Sequence, residues 1–332
     1  MACKTTPTTC PSTYEACDPL DDCSMDDVSR HELYISELFA RTESINRQLT
    51  GASDGAIKIA FTADAGEAND NQALLGARFT AEDPHIALFG GDNNYETGSH
   101  LTIENNWSAF SDQVNKGIAF PALGNHDLDT GDGINQTNKF TYISGNKRYY
   151  HIYDDNASMD IYVLNSGVNT SLSMVEPDGN TVGSVQYNWF LNEVANSFGM
   201  FKMVMFHHPF VSGVTNGAAD NRVVSAMDWS FEGFGIDLIL NGHTHTSQHL
   251  NTRGVDIIDA SSAVKGRRAM SNSGTIYGSD AAATELVWAY AGPGATGDRL
   301  YVTIDVVGRA LIVSFKRTDT GVTVYSFPII KS

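Results

Sequence analysis

With 332 residues, 42% of them hydrophobic and 18% charged, the chain has an ordinary globular composition and the length for one large domain or two small ones. Its formal net charge of -18 excludes a surface built for nucleic acid or anionic membrane, since phosphate-rich polymers bind basic faces. No apolar run approaches the roughly eighteen residues that span a bilayer, and a small anionic substrate stays compatible with the charge because bound cations can supply positive potential locally.

Residues 1–27 are rich in Thr, Pro, Asp and Cys, too poor in apolar side chains for a core, and read as a tail. Cys3, Cys10, Cys17 and Cys23, the four cysteines of the chain, all fall there. Their spacing is too wide for the paired ligands of a zinc ribbon. Disulfides within or between chains are favoured over free thiols, with the internal pairing open. No apolar stretch follows Lys4, so this start is not a conventional secretory signal. Residues 28–50 read as one helix, with Ser29 and Glu32 fitting a capping box and Gly51 a stop. Val28, Ile35, Leu38, Thr42, Ile45 and Leu49 make an a/d stripe that suits a short coiled coil or a helix packed on its own domain.

Residues 55–332 alternate short apolar runs with helical patterns, which predicts an α/β or α+β layered domain. The runs AIKIAFTAD, HIALFGGD, IAFPALGNHD, FKMVMFHHP and FGIDLILNGHTH each read as a buried strand that ends in polar residues. Ile103, Trp107, Phe110 and Val114 recur at helical spacing, as do Leu191, Val194 and Phe198. The stretch from Arg299 to Ile330 alternates apolar and polar residues with turns at Gly308 and Gly321, predicting a closing antiparallel meander.

In open α/β sheets the ligand crevice lies beyond the carboxyl ends of the strands. The strand ends here carry Asp64, Asp92, Tyr95, Asn125, His126, His207, His208, His243 and His245, which include five of the ten histidines in the chain. Asp64 alone would pass for a turn residue. Asn-His-Asp directly after a strand is rarely a plain turn, and an extended Gly242-His243-Thr244-His245 would turn both imidazoles to one face, toward adjacent metals. Two cations about 3.5–4 Å apart can clamp an in-line displacement at phosphorus, one activating a hydroxide and both neutralising charge. One carboxylate must bridge them, and Asp92 is the natural candidate. Hard oxygen ligands on one side favour a trivalent ion, whereas an amide and two imidazoles suit a divalent one.

These motifs resemble the calcineurin-like metallophosphoesterase superfamily, and within it the purple acid phosphatase branch with its small tartrate-resistant members. The pattern D-x-G, G-D-x-x-Y, G-N-H-[DE], V-x-x-H and G-H-x-H is met by Asp64 to Gly66, Gly91 to Tyr95, Gly124 to Asp127, Val204 to His207 and Gly242 to His245. The resemblance covers about residues 57 to 325. It implies a four-layer αββα sandwich of two mixed sheets with flanking helices, and a dinuclear phosphatase acting on phosphate monoesters by attack of a metal-bound hydroxide. It implies ferric iron on Asp64, Asp92, Tyr95 and His245, and Fe2+, Zn2+ or Mn2+ on Asp92, Asn125, His207 and His243. His126 would protonate the leaving oxygen, with Asp127 as its carboxylate neighbour. Most other members of the superfamily carry D-x-H first. Gly66 stands in place of that histidine here, and Tyr95 would replace the missing ligand. His208 departs from the small members, and a contact to a ligand or to substrate is favoured for it over pure packing.

The family is usually exported, which with the cysteine tail favours an extracellular, surface or virion setting, although the chain shows no signal peptide. The partner implied is a small phosphate ester, without nucleic acid or membrane insertion, and residues 1–50 suit a homo-oligomer or a larger assembly. The competing readings are a phosphodiesterase of the same fold and an assembly component that displays this domain. The loops at 128–148 and 166–186, which would shape the pocket, carry no readable code.

Overall fold

The apolar runs expected as strands do form strands, and they stop where the polar motif residues begin. The computed structural model describes residues 57–154, 159–213, 223–265, 275–279, 281–290 and 298–331. The tail expected over 1–27 and the helix expected over 28–50 lie outside the described residues.

In chain order the strands are β1 (Ile57–Thr62), β2 (Ile86–Phe89), β3 (Ala119–Pro121), β4 (Tyr150–Asp154), β5 (Met159–Val163), β6 (Phe201–Met205), β7 (Val211–Ser212) and β8 (Leu238–Asn241). There follow β9 (Ser247–Thr252), β10 (Val255–Ala260), β11 (Tyr277–Gly278), β12 (Thr284–Ala289), β13 (Leu300–Val307), β14 (Ala310–Arg317) and β15 (Thr323–Ile330). β7 and β11 pair with each other, and the other thirteen strands build two large sheets, a six-stranded one of order β15-β14-β13-β1-β2-β3 and a seven-stranded one of order β12-β9-β10-β8-β6-β5-β4. Both large sheets are mixed. β1, β2 and β3 run parallel, as do β5, β6, β8 and β10, whereas the closing meander β13–β15 is antiparallel.

Period-2 alternation assigns the strand faces. In β5, Ile161 and Val163 join a core shared with Phe61, Leu88 and Val302 of the other sheet, while Tyr162 turns to a separate outer core. Met203 and Met205 of β6 face the shared core, and Val204 faces outward. Helices close both outer faces. The helix α1 (Asp70–Glu82) starts at Asn69, whose side chain accepts from the Gln72 amide, and buries Leu75 and Phe79. The Phe79 ring lies 5.6 Å from Phe89 on the six-stranded sheet. On the seven-stranded sheet, α3 (Val185–Ala195) sets Phe190 edge-on to Tyr162 at 5.3 Å. A single turn, α2 (Asn125–Leu128), follows β3. None of the described helices is long and apolar enough to cross a membrane.

Two expectations need correction. Ile103 to Val114 is not one helix but three short helical pieces, Ile103–Asn106, Ser108–Phe110 and Ser111–Asn115. Trp107 and Phe110 still both turn into the aromatic cluster around Phe89, each 4.8 Å from its ring. Phe198 is not on the buried stripe of α3. That helix stops at Ala195, the Asn196 amide turns back to the last carbonyls, and Phe198 is 99% exposed.

Candidate metal centre

Parallel strands place their carboxyl ends on one edge, and here both sheets bring theirs together. The Ala63 amide after β1 donates to the Ala260 carbonyl at the end of β10 (3.0 Å), and the His243 amide after β8 donates to Asp64 Oδ2 (2.7 Å). Asp64, Asp92, Asn125, His207 and His243 therefore lie two to four residues beyond β1, β2, β3, β6 and β8. The backbones approach so closely that a Cβ on Gly66 would sit 2.0 Å from the Asn93 carbonyl carbon, and one on Gly124 would sit 2.2 Å from the Asp92 amide. A histidine cannot replace Gly66 without moving the Asp92 loop.

The ligand candidates form two groups that share Asp92. Tyr95 Oη lies 2.9 Å from Asp64 Oδ1, 2.9 Å from Asp92 Oδ2 and 3.5 Å from His245 Nε2. His245 Nε2 is 3.1 Å from Asp64 Oδ1. On the other side, His207 Nε2 is 3.3 Å from the same Asp92 Oδ2 and 3.1 Å from Asn125 Oδ1. His207 Nδ1 faces the Gly90 carbonyl at 2.8 Å, which fixes the tautomer and leaves Nε2 as the ligand atom. The His243 ring lies 5.1 Å from that of His207, and its buried Nε2 has no hydrogen-bond partner. An orphaned imidazole nitrogen among carboxylates and a second imidazole is a donor set fitted to a cation. Asp64, Asp92 and His207 offer ligand atoms within 4.8 Å of one another, as do His207, His208 and His243.

Electrostatics without the ions shows what a cation would relieve. Burial, then Asp64 and Asp92, push the Tyr95 phenol well above its ordinary value, so it keeps its proton between the two carboxylates. Burial opposes charge on His207, yet Asp92 and Asp64 outweigh it and push the imidazole up to about 10. Burial would raise the Asp92 carboxyl, but His207 and its neighbouring imidazoles hold it well below the usual carboxylate range. Burial and then the adjacent His208 and His207 keep His243 neutral.

His126, like His245, is partly exposed. Its Nδ1 bonds the Glu96 carbonyl and its Nε2 lies 3.9 Å from Asp92 Oδ2. Asp127 is not its carboxylate neighbour, which corrects the expectation. The Asp127 oxygens accept instead from the amides of Gly124 (2.9 Å) and Asn93 (3.1 Å), tying two motif loops together. Burial and Asp92 push the Asp127 carboxyl up to about 7. His208 is fully buried, with Nδ1 2.7 Å from Ser166 Oγ and its ring 4.2 Å from that of His243. Burial and His207 hold it neutral. Nor is Gly242 to His245 an extended segment. His243 (φ 71) and His245 (φ 55) are both left-handed, and the turn rather than a strand face brings the imidazoles to their two groups.

Sequence reasoning misses three contributors. Ser166, at the end of β5, orients His208. Asp259 accepts from Thr244 and Ser261 behind the His243 turn. Lys265 lies over the Tyr95 ring. None sits in a motif, and only the positions of Ser166 and Asp259 near the ends of β5 and β10 offer any signal.

No curated protein matches the chain in sequence. Among solved structures it is similar to a purple acid phosphatase from yellow lupin (Lupinus luteus) seeds, with 12% identity and a TM-score of 0.63 over 83% of this chain and 55% of that one. It is also similar to GAP50, the anchor in the inner membrane complex of Plasmodium (17%, TM-score 0.59, 83% and 90%), and to PhoD (13%, TM-score 0.57, 83% and 70%). At these identities the likeness is one of fold, and this chain spans about half the length of the lupin enzyme. The sequence profile of the calcineurin-like phosphoesterases matches residues 57–247, more than half of the chain and all of the motif-bearing strand ends. The chain therefore belongs to the calcineurin-like phosphoesterase family.

Proposed function

We propose that the chain is a dinuclear phosphatase of the purple acid phosphatase type that hydrolyses phosphate monoesters. The observation that carries this reading is Tyr95 Oη, held between Asp64 and Asp92 and facing His245. A phenol driven this far toward its protonated form gives up its proton only to a strongly charged cation, which favours Fe3+ on Asp64, Asp92, Tyr95 and His245. Asp92, Asn125, His207 and His243 then take Fe2+, Zn2+ or Mn2+. The bound ions supply Lewis acidity and an activated water for attack at phosphorus.

The residues of the chain do the rest. Asp92 Oδ2, within 3.3 Å of both Tyr95 Oη and His207 Nε2, bridges the two groups. The Glu96 carbonyl keeps the proton of His126 on Nδ1, which frees Nε2 to carry a second proton toward a leaving oxygen. Asp127 holds the loops of Asn93 and Gly124 at the spacing this requires.

The test uses metal-analysed full-length protein and a panel of phosphate mono- and diesters. We expect monoesters to be the better substrates and the iron-loaded protein to be purple through tyrosinate-to-iron charge transfer. Tyr95→Phe retains the ring and should abolish the band. Preference for diesters overturns the substrate assignment, and a band that survives Tyr95→Phe overturns the ligand assignment.

A further inference from the structure

Lys265 follows β10, five residues beyond Ala260. Its own carbonyl and that of Val264 accept from Arg299 Nη1 at 2.8 and 2.6 Å, which fixes the segment. The side chain reaches back over the metal centre, with Nζ 3.9 Å from the centroid of the Tyr95 ring. Two carboxylates flank the ammonium, Glu67 Oε2 at 3.1 Å and Glu96 Oε1 at 3.3 Å. Each directly follows a residue of the centre, Gly66 in one case and Tyr95 in the other. The Lys265 side chain is only 17% exposed, so water screens its field weakly.

We propose that Lys265 tunes the metal held by Tyr95. This rests on the tyrosinate reading above. A cation over an aromatic face is attracted to its electron density, and more strongly when the ring carries a phenolate charge. The same attraction holds that density on the ring. The phenolate becomes a weaker donor, the ferric state is stabilised less, and charge transfer from ring to iron needs more energy. Lys265 touches no metal and acts only through Tyr95.

A merely structural role, in which Lys265 clips together the loops of Glu67 and Glu96, would change stability and leave the electronic properties alone. The experiment compares iron-loaded full-length wild type, Lys265→Gln, Lys265→Arg and Glu67→Gln. Readouts are the visible spectrum and the one-electron ferric–ferrous potential, poised by external mediators. Lys265→Gln should move the band to longer wavelength and lower the potential, since the uncompensated Glu67 and Glu96 add to the effect. Lys265→Arg should restore both. Glu67→Gln removes a flanking negative charge and should move the band the opposite way, to shorter wavelength. Spectra and potentials unchanged in Lys265→Gln and Glu67→Gln overturn the proposal, even where melting temperatures fall. A wild type that binds iron and shows no band overturns the tyrosinate reading itself and this inference with it.

Discussion

His126 has the most accessible ring of the motif imidazoles, its side chain 25% exposed against 15% for His245 and 0% for His207. Its amide donates to Asp92 Oδ1 (2.9 Å), so the single turn of α2 positions it against the Asp92 carboxylate. Loss of a general acid typically costs about 10²–10⁴-fold, and the loss grows as the leaving group becomes a poorer one. His126→Ala should therefore keep its metal content while turnover of alkyl phosphates falls far more than that of activated aryl phosphates. Steady-state rates across a leaving-group series check this, and equal losses along the series would remove the acid role. The residue-level reading was legible where a motif names both identity and spacing, as for Asp92 and Tyr95. It was wrong where a neighbour in sequence was taken for a neighbour in space. Asp127 follows His126 directly, but in a helical turn adjacent side chains diverge, and the Asp127 carboxylate turns inward to the Asn93 and Gly124 amides.

Elements outside the motifs are held by polar clusters with no sequence signature. His151 on β4 lies between Asp160 on β5 (2.7 Å) and Glu193 on α3 (3.1 Å), stacked on Tyr162. Burial would raise the Asp160 carboxyl, but the hydrogen bonds from His151 and Ser197 prevail and hold it below the usual carboxylate range. A carboxyl lowered in the folded state stabilises above its unfolded value, near 3.9, and that stability is lost as pH falls through the folded value. Asp160→Asn should thus cost about 1–3 kcal/mol at neutral pH, with the gap to wild type narrowing below about pH 4. Denaturant melts across pH measure it. Hydrophobic periodicity showed β1, β2, β6 and β8 because both their faces are buried and their runs are continuous. It could not show β9, whose sequence Ser-Gln-His-Leu-Asn-Thr is polar yet almost wholly buried. Its Gln248 bonds Ser212 and its Ser247 bonds Ser262, which are contacts from other segments. Tertiary pairing, not local pattern, makes that strand.

At the scale of the whole molecule, the two sheets and the convergence of their strand ends followed from the ordered motifs, because polar residues scattered from Asp64 to His245 can meet only at a shared strand edge. Residues 1–50 carry a different message, in four clustered cysteines and an a/d stripe, and we expect them to mediate assembly. Removing them should leave an active, folded phosphoesterase of lower oligomeric order. Light scattering on the full-length and truncated chains under non-reducing conditions decides this, and identical monomers would refute it.

Asp64 (φ 54), Asp92 (φ 54), His243 (φ 71) and His245 (φ 55) share a left-handed backbone that glycine adopts without cost. For other residues such a conformation costs on the order of 1–2 kcal/mol, and here it coincides with four proposed ligands. Foldability and chemistry thus pull these positions in opposite directions. A redesign that ranked sequences by the stability of the empty scaffold would turn these residues to glycine early. It would return a sturdier protein from which the reason for the fold had been edited out.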